Sequence, residues 1–113
     1  NITIYQGTTW KRTVIIKNPD GTAVNLTGCS ARMQARSNYA DQAPGAALIE
    51  LTTANGRIAI TPAEGKLALS LTAAETEAFK WRHAVYDLEV IFADGTVRRI
   101  LEGRAEVKPE VTR

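Results

Sequence analysis

Apolar and polar residues alternate along most of this chain in short runs, each closed by Gly, Asn, Asp or Pro. A strand sends successive side chains to opposite faces, so a period of two describes antiparallel sheet with one face in a core and the other in water. The clearest run is Cys29-Ser30-Ala31-Arg32-Met33-Gln34-Ala35-Arg36. Its pattern places Cys29, Ala31, Met33 and Ala35 in the core and Ser30, Arg32, Gln34 and Arg36 in solvent.

Upstream, residues 8–17 are rich in β-branched side chains and end at Asn18-Pro19-Asp20-Gly21, a hairpin signal in which Pro presets φ and Gly supplies a positive φ. Residues 22–28 read as a short return carrying Val24 and Leu26 on one face. Residues 47–52 and 57–61 read as a second hairpin around Asn55-Gly56, with Ile58 and Ile60 pointing inward together. After a Pro62-Ala63-Glu64-Gly65 turn, residues 66–72 put Leu67, Leu69 and Leu71 on one face. The period then changes. Thr72, three residues before Glu75, is the capping-box signature of a helix start, and a helical turn or two fits before the next strand. Tyr86, Leu88, Val90 and Phe92 share a face of that strand, Asp94-Gly95 turns the chain, and residues 96–107 return as the last strand or pair, stopped by Pro109.

This amounts to about seven to nine strands and one helical crossover, spaced as in an all-β sandwich whose two sheets face each other across a core. With 113 residues, one core and one domain over 1–113 are expected. Residues 37–46, including Tyr39 and Asp41, form the only long stretch without a period, and are expected to be a mobile or partner-facing loop. The other glycines, at 21, 28, 56, 65, 95 and 103, read as strand boundaries and turns rather than a phosphate cradle.

Composition narrows the function classes. The chain is 44% hydrophobic and 23% charged, as in an ordinary globular protein. The longest apolar runs fall far short of the roughly 20 residues that span a bilayer, so no membrane partner is expected. The start lacks the basic and apolar blocks of a signal peptide, and secretion is not expected. A net charge of +2, from 14 basic and 12 acidic residues evenly spread, does not suggest nucleic acid as a partner. The single cysteine, Cys29, excludes an intrachain disulfide and, on an apolar strand face, reads as an unreactive core thiol. His83 is the only histidine and reads as exposed or capping before a strand. The acidic residues are scattered singly, so neither a metal, a cofactor nor a catalytic set is expected. An enzyme would need Asp87, His83 and Glu102 to converge in one concave pocket.

The candidate contact residues are therefore Trp10, Tyr39, Asp41, Trp81, Arg98 and Arg99. Each tryptophan has two readings, an interface anchor and a filler at the core edge. Arg98-Arg99, inside a strand, must send one side chain to each face, which puts one of them at an edge or in an ion pair. The sequence Lys80-Trp81-Arg82-His83 interleaves basic and aromatic groups but is too short to mark a nucleic-acid site.

Ala84-Val85-Tyr86-Asp87-Leu88, following a capped turn, looks like the strand of immunoglobulin-like domains in which a tyrosine anchors the corner, here Tyr86. Four stretches carry a wider likeness: Tyr5-Gln6-Gly7-Thr8-Thr9, residues 20–28, Tyr86-Asp87-Leu88-Glu89-Val90, and Leu101-Glu102-Gly103-Arg104-Ala105-Glu106-Val107. Through them the chain resembles small immunoglobulin-like structural proteins of tailed bacteriophages and prophages, including the amino-terminal modules of baseplate upper proteins. It departs from that pattern at Thr8, where aspartate is usual, at Ala23 in a proline place, and at residues 80–84 in place of a proline-glycine approach. The resemblance implies an immunoglobulin-like antiparallel β-sandwich. It also implies a non-enzymatic tail, baseplate or neck component of a virion assembled in the bacterial cytoplasm, present in several copies and held by other virion proteins. The alternatives are a capsid decoration protein and a carbohydrate- or receptor-binding module, the latter requiring Trp10, Trp81 and Tyr39 on one surface.

Overall fold

A computed structural model of the chain describes residues 1–38 and 47–111. Its strands are β1 (Ile2–Tyr5), β2 (Trp10–Ile15), β3 (Ser30–Arg36), β4 (Ile49–Thr52), β5 (Ile58–Thr61), β6 (Lys66–Leu71), β7 (His83–Ile91) and β8 (Val97–Lys108). A 3-10 turn at Pro62–Glu64 and the short helix α1 (Ala73–Glu77) complete the described elements.

The strands form two sheets, β1-β8-β7-β3-β4 and β2-β6-β5. These are the GFC and BED halves of an immunoglobulin-like sandwich, with β4 added beside the C-strand position. The first strand departs from the constant-type pattern, in which strand A lies beside B. Here β1 runs along β8, from Ile2 opposite Ala105 to Tyr5 opposite Lys108, and the pair is parallel. The sandwich is antiparallel, as expected, in every strand pair described except this one. β1 and β8 lie at opposite ends of the chain, so no hairpin has to join them and no local signal reveals their direction.

Alternation sets the core. Ala31, Met33 and Ala35 from β3, and Tyr86, Leu88 and Val90 from β7, are buried against Leu67, Leu69 and Leu71 of β6 and Ile58 of β5. Leu51, Leu67, Leu88 and Val90 are wholly excluded from solvent, and each such side chain contributes about 1.5–3 kcal/mol of burial free energy. Cys29 is half-buried, packed against the rim of the core just before β3 begins, rather than inside it.

Three local expectations change. Residues 22–28 form no strand, only a single bridge from Lys17 to Ala23, although Leu26 is buried to 1% exposure as its spacing implies. β4 and β5 are not a hairpin: β4 pairs with β3 and β5 with β6, so the Asn55-Gly56 turn carries the chain from one sheet to the other. Only Gly56 takes a positive φ there, and the Asn55 side chain accepts from the Thr52 and Arg57 N–H groups and donates to the Glu50 carbonyl. Gly103 is not at a boundary but inside β8, opposite Tyr86. A Cβ there would lie 2.9 Å from Asn1 Oδ1 and 3.4 Å from the Tyr86 ring.

The helix start behaves as its sequence implies. Thr72 Oγ1 accepts from the Glu75 N–H and Glu75 Oε1 accepts from the Thr72 N–H, a complete capping box.

Candidate functional site

Strand directions sort the candidate residues into two groups. β1 ends, β2 begins, β6 ends, β7 begins and β8 ends at one pole of the sandwich. Trp10 and Trp81 both lie at this pole, and β3 delivers Asn38 to it. Tyr39 and Asp41 follow in the chain but lie outside the described residues. Arg98 and Arg99 sit toward the other end, opposite Val90 and Glu89.

A polar clamp holds the first pole together. Gln6 Nε2 donates to the carbonyls of Glu77 and Phe79, each at 3.1 Å, and Gln6 Oε1 accepts from the Glu110 N–H at 2.9 Å. Thr76, the one buried polar residue among those described, donates to the Thr8 carbonyl at 2.8 Å and accepts from the Gly7 N–H at 3.1 Å. Most buried polar groups are paired, and here two side chains satisfy backbone groups from three separate segments. Sequence reading missed both residues. The available signals were Thr76 four residues after the helix cap and Gln6 between a strand end and a glycine.

The tryptophans are part of this packing. Trp10 and Trp81 are half-buried against the core, and the Trp81 ring lies 5.3 Å from that of Phe79, tilted by 38°. The Trp81 indole nitrogen is buried without a hydrogen-bond partner among the described residues. A cavity of about 170 Å³ beside it is lined by Gln6, Phe79, Lys80, Arg82, Val107 and Pro109. Tyr86 is buried in β7, but no hydrogen bond from its hydroxyl to upstream backbone is present among the described residues. The corner is secured by Gln6 and Thr76 instead.

The outer face of the five-stranded sheet is a lattice of opposed charges. Arg32 pairs with Glu89 at 2.9 Å, and Arg99 bridges Asp87 at 3.6 Å and Glu102 at 3.2 Å. Arg98 faces the other way and is exposed, so the two arginines separate by face as strand alternation requires. Burial raises the Asp87 pKa above its ordinary value, with Glu89 and Glu102 adding repulsion and Arg99 and Arg32 opposing it. A shallow cavity of about 300 Å³ on this face is lined by Arg32, Gln34, Val85, Asp87 and Glu89 among others. His83 is four residues before Asp87 on the same strand, about 13 Å at the usual rise, so it does not meet Asp87 and Glu102. Among the described residues no group of three or more His, Cys, Asp or Glu side chains is placed to hold a metal ion, and no helix is long and apolar enough to cross a membrane.

The three-stranded sheet differs in kind. Its strands, WKRTVI, IAIT and KLALSL, contain no acidic residue. Its outer face presents Lys11, Thr13, Ile15, Ala59, Thr61, Lys66, Ala68 and Ser70.

No protein-family model matches this chain, and a search of curated proteins finds no match.

Proposed function

We propose that this domain is a non-enzymatic structural component of a tailed-phage or prophage virion, a tail, baseplate or neck accessory that works through protein contacts in several copies. One observation supports the reading above others: the stretches that carry the family likeness coincide with the working parts of the sandwich. Gln6 and the backbone groups of Gly7 and Thr8 take part in the polar clamp with Thr76, Leu26 is buried in the core, Tyr86, Leu88 and Val90 line it, and Ala105 and Val107 close it beside β1. The shared pattern is thus a framework, and function falls to the surfaces that the framework displays.

The carbohydrate-binding alternative gains no support from Trp81. A sugar platform needs a flat, open ring, whereas Trp81 has its indole nitrogen buried and its ring against Phe79. The test is direct. After prophage induction in the source strain, particles banded by density carry peptides of this chain at several copies per particle when measured by quantitative mass spectrometry. Recovery solely in the soluble fraction overturns the proposal.

A further inference from the structure

Among the described residues four strands border the two sheets, and β2, with six residues, is longer than β1, β4 and β5 with four each. Among the described residues β2 has one neighbour, β6, because the first strand of the chain pairs with β8 and not with β2. The Ile16 N–H donates to the Gly65 carbonyl at 2.8 Å, which sets the phase of the ladder. Trp10, Arg12 and Val14 therefore exchange hydrogen bonds with β6, and the backbone groups of Lys11, Thr13 and Ile15 face the open edge. The side chains of these same three residues are exposed, Ile15 to 54%.

Such an edge is a template for another strand, and its charge selects which one. Lys11 and Arg12 lie on β2 and Lys66 lies opposite Ile15, with no acid on any strand of this sheet. None of these three cations is ion-paired among the described residues, whereas the nearby Glu75 is engaged by Arg57 at 2.9 Å. A second copy laid antiparallel on β2 would bring together two sets of cations with nothing to neutralise them, which disfavours self-pairing.

We infer that the open edge of β2 takes an extended acidic segment of a partner protein as an added antiparallel strand. The segment places an acidic residue opposite Lys11, a small hydroxyl residue opposite Thr13 and an apolar residue opposite Ile15. Backbone hydrogen bonds provide the attachment and the cations provide the choice of partner. This rests on the chain working by protein contact, but not on the virion setting.

The probe is the blocked peptide Ac-Thr-Val-Thr-Thr-Thr-Glu-Thr-NH2, titrated into the isotope-labelled chain and followed by amide NMR shifts and hydrogen exchange. The expected result is shifts and slowed exchange confined to Lys11, Thr13, Ile15 and their neighbours. Replacing the peptide's Glu by Lys should weaken binding about fivefold, the worth of an exposed ion pair. Lys11→Glu should reverse that preference. Thr13→Pro removes an N–H that faces the open edge and not β6, so it should abolish binding while the rest of the spectrum is retained. Absence of shifts, equal binding of both peptides, line broadening at β2 with protein concentration alone, or an equal response to oligo(dT) each overturns the inference. Peptide failure leaves particle association to be judged separately, and absence from particles alongside peptide binding overturns the virion setting alone.

Discussion

The two sheets share one core but treat charge in opposite ways. On the five-stranded sheet, acids and bases face each other across β3, β7 and β8, as in Arg32 with Glu89 and Arg99 with Asp87 and Glu102. On the three-stranded sheet, every charged side chain of the strands is basic, and none is ion-paired among the described residues. A surface whose charges are already answered within the chain has little left to offer a partner, while an unanswered one attracts its complement. The smaller sheet, where residue type alone points only to Trp10, is thus the surface that carries unanswered charge.

The largest effect tests whether the sheets are one cooperative unit. Leu88→Ala in β7 and Leu69→Ala in β6 each empty a position with almost no solvent exposure, and each should cost about 2–5 kcal/mol in urea unfolding. Both variants should keep a single transition. Two transitions in Leu69→Ala would show the small sheet melting separately and break the shared core on which the comparison depends.

Gly65, the residue before β6, and Gly103, within β8, give the next effect. Gly65 has φ of 61°, and a Cβ there would meet the Ile16 carbonyl oxygen at 2.6 Å, backbone that cannot swing away. Gly65→Ala should cost toward the upper end of the roughly 1–3 kcal/mol typical of a strained left-handed residue. Gly103→Ala meets chiefly the Asn1 side chain and should stay within about 1 kcal/mol of the parent. Equal losses at the two sites would mean that Gly103 is held as tightly as the β2–β6 junction.

Breaking the charge lattice should matter less. Arg32→Ala removes the pair with Glu89, in which the arginine side chain is 54% exposed, so a loss below about 1 kcal/mol that shrinks with added salt is expected. Lys11→Ala on the acid-free sheet should leave the unfolding midpoint nearly unchanged. A larger loss at Lys11 would reveal an intramolecular role for that cation.

The smallest effect is in pH. The raised pKa of Asp87 means that the folded chain holds this proton more tightly than the unfolded one, so its contribution to stability falls as pH rises through that window. Glu75 acts in reverse: hydrogen bonding from the Thr72 N–H, and then Arg57, lowers its pKa, so its contribution is present above the ordinary glutamate value and is lost as pH falls through the lowered one. Urea midpoints measured across the carboxylate range should show Asp87→Asn removing the gain on acidification and Glu75→Gln removing part of the loss. Superimposable profiles for Asp87→Asn and the parent would mean that Asp87 is as well solvated folded as unfolded.

Much of the architecture was legible in the chain because its signals are local. Strand alternation placed Ala31, Met33, Leu67, Leu69, Leu71, Leu88 and Val90 in the core, and Thr72 with Glu75 marked the helix start. Cys29 sits one step outside the core that alternation implies, because the alternating pattern extends beyond the start of β3 at Ser30. The contact surface was less legible. Trp10 and Trp81 share a pole because distant strand ends meet there, and Arg99 finds Asp87 across a strand pair.

By itself the sequence determined which residues alternate, where most turns fall and where the period changes, since these follow from side-chain geometry over a few residues. Tertiary structure alone decided that Asn55-Gly56 crosses between sheets, that Gln6 and Thr76 clamp one pole, and that β1 joins β8 in parallel. Each of these links groups far apart in the chain, and nothing in a short window of residues records which of several possible partners a strand edge will find. The pairing of β1 with β8 also leaves β2 with a single neighbour among the described residues, so that edge is set by a contact between chain segments about a hundred residues apart, Ile2 with Ala105.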